Sequence, residues 1–185
     1  MPRLPILGLL SLIFALGILP HIAAAQPIDR WHYIDAESVL HTERVDGLQG
    51  AGVIQSDATF AMLYLGLPED NGVVSVALPT DTNSDTLSST LISTSGQRFE
   101  RDLTNEELVI EQISDTTFAY SFPITPTDVD LFKSAQTWVL SIGDRSWPIT
   151  LRGSRAAIST AERKHADLFK RLSESPPATQ VKAAD

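Results

Sequence analysis

The chain has 185 residues, no cysteine, and 23 acidic against 14 basic side chains, for a formal charge of −9. That balance argues against a nucleic-acid partner, because binding a phosphate backbone depends on basic contacts. The absence of cysteine excludes thiol catalysis, thiolate metal sites and disulfides, so stability has to come from an apolar core, which a chain of this length can bury.

Arg3 is the only charge before Asp29, and Leu4 to Leu19 is almost wholly apolar. Pro20 then breaks any helix, and Ala23-Ala24-Ala25 offers small residues where a signal peptidase cuts. This order predicts a cleavable export signal over residues 1–25, with Gln26 as the new N-terminus. The 16-residue apolar run is short of the roughly 18–20 residues a membrane-spanning helix needs. With no twin-arginine pair and no lipidation cysteine, the general export route and a soluble product are expected. No later segment is apolar enough to span a bilayer. The expected location is therefore outside the cytoplasm: the periplasm first, the extracellular space as the alternative. Without Arg3, 13 basic and 23 acidic residues remain, a net charge of −10.

Residues 26–151 have the punctuation of a single all-β domain. Thr59 to Leu65 and Val73 to Leu78 flank Pro68-Glu69-Asp70-Asn71-Gly72, a hairpin signal because Asn and Gly tolerate the positive φ of tight turns. Pro79 to Ser84 reads as a polar loop. Further strands are expected at Thr86–Thr94, Gln97–Leu103, Glu107–Ile113 and Thr117–Phe122. In the last of these, alternation puts Phe118, Tyr120 and Phe122 on one face. Pro123, Pro126, a cap at Thr127 and a capping-box partner at Asp130 predict a short helical turn through Phe132. A second hairpin, Gln136–Ile142 and Ser146–Leu151, turns at Gly143-Asp144-Arg145, with Trp138, Leu140 and Ile142 facing one way. From Gly153 the period changes. Ile158, Ala161, His165, Leu168 and Leu172 form one face of an amphipathic helix over 152–173, packed on or extending from the domain. A disordered tail is expected over 174–185. The fold class is thus mainly β: a sandwich or small barrel of about eight antiparallel strands with one C-terminal helix.

Val76-Ala77-Leu78-Pro79 and the run Trp147-Pro148-Ile149-Thr150-Leu151-Arg152-Gly153-Ser154-Arg155-Ala156-Ala157, together with the order of elements, resemble the invasion-associated locus B family of exported bacterial proteins. The likeness covers roughly residues 60–160. It implies a periplasmic β-sandwich and carries over no catalytic residue. This chain departs from the family in lacking cysteines and in placing Ser154, not an aromatic residue, after the turn glycine.

Charge is distributed unevenly. Residues 26–151 hold 6 basic and 19 acidic side chains, whereas residues 152–171 hold Arg152, Arg155, Arg163, Lys164, Lys170 and Arg171 against Glu162 and Asp167, a net +4. A basic amphipathic helix can dock on a partner, on anionic lipid, or on its own acidic domain. The candidate partner-binding residues are therefore Arg155, Arg163, Lys164, Lys170 and Arg171, with Trp31 and Tyr33 near the mature N-terminus as a second surface. The other tryptophans, Trp138 and Trp147, fit a core better than a sugar-stacking site.

Asp81-Thr82-Asn83-Ser84-Asp85 starts like a calcium loop, but Thr86 and Ile92 stand where that loop type needs glycine and an acidic residue. His32, His41 and His165 lack the spacing of a zinc site, and His21 leaves with the signal. No nucleophile elbow, zinc-binding helix or phosphate-cradling loop is present. Glu106-Glu107 would point to opposite faces of a strand, and not across a cleft as a catalytic pair must. No cofactor, metal or catalytic residue is assigned. The expected function is a non-enzymatic, exported protein-binding or accessory module of an envelope system. The alternatives are a small-ligand or carbohydrate binder, or an enzyme whose site assembles only in three dimensions.

Overall fold

The computed structural model describes residues 28–35, 49–65, 72–80 and 84–174. The expected signal, the Pro68–Asn71 turn, Asp81–Asn83 and the tail beyond Glu174 lie outside those residues. The strands are β1 (His32–Asp35), β2 (Gln49–Ile54), β3 (Phe60–Leu65), β4 (Gly72–Leu78), β5 (Thr86–Ser93), β6 (Arg98–Thr104), β7 (Val109–Ser114) and β8 (Thr117–Ile124). A short helix, α1 (Pro126–Ser134), leads to β9 (Ala135–Ile142), β10 (Arg145–Thr150) and the long helix α2 (Ser154–Glu174). Every strand pairing is antiparallel, in a six-stranded sheet of order β1-β2-β3-β4-β8-β7 and a four-stranded sheet of order β10-β9-β5-β6. The two sheets make a sandwich and do not close into a barrel.

Residues opposite one another share a face, so the core can be traced across the strands. In the larger sheet, Ala51, Leu63, Val74 and Phe122 stand in one cross-strand row, and all four belong to the core between the sheets. Leu87, Leu91, Trp138, Leu140 and Ile149 meet them from the smaller sheet. Phe132 of α1 packs edge-on against Trp138, with ring centroids 5.0 Å apart. Trp138 donates its indole N–H to Ser89 Oγ at 2.8 Å, so the largest core side chain leaves no polar atom unpaired.

The expected β3–β4 and β9–β10 hairpins both form. In the second, Arg145 pairs with Ile142, so the loop shortens to Gly143 and Asp144, with Gly143 at φ +55°. The cap of α1 lies two residues earlier than expected. Thr125 Oγ1 accepts from the Asp128 N–H, and Asp128 Oδ2 accepts from the Thr125 N–H at 2.7 Å. The reason is Pro126, whose fixed φ and missing N–H suit the first helical position, so the cap has to precede it. Two strands, β1 and β2, were not expected. Gly50 and Gly52 make β2 read as loop, yet a Cβ at Gly52 would lie 2.6 Å from Ile34 Cδ1 and 2.9 Å from the Ala61 carbonyl. Close packing of neighbouring chains selects glycine there.

The exposed edge of β10 is closed by side chains. Gln55 donates to the Pro148 carbonyl at 3.0 Å and accepts from the Thr150 N–H at 2.7 Å. Trp31 adds its indole N–H to the Thr150 carbonyl and its backbone N–H to the Arg152 carbonyl. These bonds tie the start of β1 and the end of β2 to β10, and they satisfy edge groups that would otherwise invite another strand.

Candidate functional site

Gly153 turns the chain from β10 into α2 at φ +87°, and a Cβ there would meet the Trp31 carbonyl at 3.0 Å. Ser154 then anchors the first turn by donating Oγ–H to the Phe132 carbonyl at 2.8 Å. Ala157, Ile158 and Ala161 are buried, and the helix lies along β1 and β2 and against α1. His165, also on the expected apolar stripe, is half-buried. Among the described residues no helix is long and apolar enough to cross a membrane.

The other side of α2 faces solvent and carries the candidate cations. Arg155, Arg163, Lys164 and Lys170 are all exposed, as is Arg152 just before the helix. The Arg171 side chain lies outside the described set. Arg155 donates Nε–H to the Lys133 carbonyl at 3.2 Å, fastening its stem beside α1. Glu162 turns inward to Lys133, at 2.9 Å, and Lys133 also holds Asp130 at 2.8 Å. Hydrogen bonds donated to Asp130 first, then to Glu162, push the Lys133 ammonium above the usual lysine range. The consequence for α2 is electrostatic. One of the two carboxylates in its basic stretch is taken up by α1, leaving Asp167 as the exposed acid among the cations.

The second expected surface does not form as such. Trp31 is 3% exposed, its ring lies 6.4 Å from Phe132, and its indole N–H is committed to Thr150. Alternation puts Trp31 on the face shared by Tyr33 and Ala51, which points into the core. Trp31 therefore offers no surface to a partner. Tyr33 is half-buried, with its hydroxyl donated to Gln49 Oε1.

A groove of about 610 Å³ runs beside the β10 edge. It is lined by Gln55, Thr94, Gln136, Thr137, Thr150 and Arg152, with Pro148 and three aliphatic residues completing the wall. Its polar groups are amides, hydroxyls and one guanidinium. Sequence reasoning missed Gln55 because a lone glutamine in a turn carries no signal. Only the fold brings it to Pro148 and Thr150, more than ninety residues away.

The remaining candidates stay apart. Of the calcium-like segment, Ser84 bonds Thr86 locally and Asp85 is exposed. Glu107 pairs with Arg101 at 2.7 Å, while Glu106 faces solvent. Burial lowers the pKa of the His32 imidazole, and its Nε2 is buried without a hydrogen-bond partner among the described residues. No three His, Asp or Glu side chains among the described residues gather as metal ligands would. No protein family, curated protein or solved structure matches this chain.

Proposed function

We propose that this protein is an exported, non-enzymatic β-sandwich that serves an envelope system as a protein-binding accessory module, docking an acidic partner through the solvent face of α2. The supporting observation is the exposed set Arg155, Arg163, Lys164 and Lys170 on a helix fixed to an otherwise acidic domain. A rigid helix face costs little ordering on binding, and separated positive charge steers an acidic partner toward it. The resemblance of Val76–Pro79 and Trp147–Ala157 to the invasion-associated locus B family bears only on the exported β-sandwich part of this reading and implies no partner surface. A photo-crosslinker at position 164 in the producing cell should trap one discrete acidic protein, and the same group at Thr104 on the smaller sheet should not. Equal labelling from both positions, or none from 164, would reject α2 as the interface.

The groove beside β10 supports a second reading, a small uncharged polar ligand such as a sugar held by Gln136, Thr137 and Arg152. Because Trp31 bonds the groove-lining Thr150, such a ligand should change tryptophan fluorescence. A silent glycan panel would count against it.

A further inference from the structure

Opposite charges gather at opposite edges of the larger sheet. The sheet runs from β1 at one edge to β7 at the other, and α2 lies along β1 and β2. Residues 106–115, which hold β7 and the turn before it, carry Glu106, Glu107, Glu111 and Asp115 and no basic residue, a net −4 against the +4 of residues 152–171. Glu107 is held by Arg101 at 2.7 Å. Glu106 and Asp115 are exposed, Glu111 is half-buried, and none of the three has an ion pair among the described residues. The same holds for the exposed Arg163 and Lys164 on α2. Desolvation raises the pKa of the Glu111 carboxyl, as it does for a carboxylate with no cation beside it.

The two edges do not neutralise each other within one molecule. Five strand spacings of about 4.8 Å set them about 24 Å apart, about three times the Debye length at physiological ionic strength. Between molecules they can meet, and their lengths agree. A strand of six residues, as β7 is, spans about 20 Å, and the rise from Arg155 to Lys170 along α2 is about 22 Å.

We propose that the acidic partner of α2 is a second copy of this chain, which presents its β7 edge to the helix. This inference rests on α2 being a docking face and names what docks there. Because the complementary surfaces lie at opposite edges, each contact leaves an unused helix at one end and an unused β7 edge at the other. The contact is therefore heterologous: it continues into a chain of molecules or closes into a ring. Thr104, in register with Thr86 on the solvent face of the smaller sheet, lies outside this contact.

The test is sedimentation velocity on the protein purified from the producing cell. At low salt the average mass should rise with concentration past that of a dimer; at about 1 M salt, where the Debye length is about 3 Å, only monomer should remain. Two variants each remove one side of the contact by neutralisation: Arg163→Gln with Lys164→Gln, and Glu106→Gln with Glu111→Gln and Asp115→Asn. Each alone should stay monomeric. Mixed, they should form a one-to-one dimer and nothing larger, because each variant keeps one working side, and that recovery also shows that both are folded. A parent protein that is monomeric at every concentration overturns the proposal. So does assembly that survives either neutralisation, or a mixture that stays monomeric or grows beyond the dimer. If the parent is monomeric while position 164 still traps a different acidic protein, the second copy is rejected and α2 stands as a docking face; if position 164 traps nothing, both fall.

Discussion

Gln55→Ala probes how the two sheets are held at the β10 edge. Gln55 is 8% exposed and makes two bonds across the sandwich, to the Pro148 carbonyl and from the Thr150 N–H. Each is worth about 1 kcal/mol net. The full penalty for orphaned buried groups does not apply, because both partners line the groove and water can replace the amide there. The expected loss is therefore about 2 kcal/mol, or about 4–8 °C in Tm for a domain of this size. Denaturant unfolding followed by tryptophan fluorescence reads it directly. Gln55→Glu is the informative control: it keeps an acceptor for the Thr150 N–H but sets a carboxylate against the Pro148 carbonyl, so it should cost at least as much as alanine. A Gln55→Ala loss below about 0.5 kcal/mol, the ordinary range for a neutral surface change, would refute the view that this side chain holds the edge.

Ala58 sits at φ +67° in the β2–β3 turn, so Ala58→Gly should stabilise the fold by about 1 kcal/mol, visible as a raised denaturation midpoint. Gly52→Ala should destabilise by about 1–3 kcal/mol, because its Cβ would press on Ile34 and on the rigid Ala61 carbonyl; equal stability would show that the sheet yields there. Thr125→Ala breaks the capping box of α1 and should cost about 1 kcal/mol in the same assay. His32 has a depressed folded-state pKa caused by desolvation. Below about pH 6.5 the unfolded chain binds a proton that the folded chain resists, so stability should fall as pH drops through that value. Comparing stability at neutral and mildly acidic pH should show this part of the slope vanish in His32→Gln.

Alternation and turn chemistry made eight of the ten described strands legible. Phe118-Tyr120-Phe122 and Trp138-Leu140-Ile142 point inward as their spacing requires. The illegible part has physical causes. β2 is built on Gly50 and Gly52, chosen for close packing and not for strand propensity, and β1 has only four residues. Ser75, Ala77, Ala119 and Ser121 resemble the solvent side of half-exposed strands, yet they lie in a second buried layer. The cations of α2 were legible because a helix displays one face by its period. Trp31 was misplaced because its two bonds to the end of β10 join residues about 120 apart, a distance no local pattern spans.

If the basic face of α2 docks an acidic partner, opposite charge steers the encounter and salt screens it. The direct measurement is the association rate of the purified partner trapped from position 164, across a salt series, for the parent protein and for Arg163→Glu with Lys164→Glu. The parent protein should associate fast, with a rate that slows as salt rises, and the charge-reversed protein much more slowly and nearly independently of salt. Equal rates and equal salt dependence in the two proteins would contradict it.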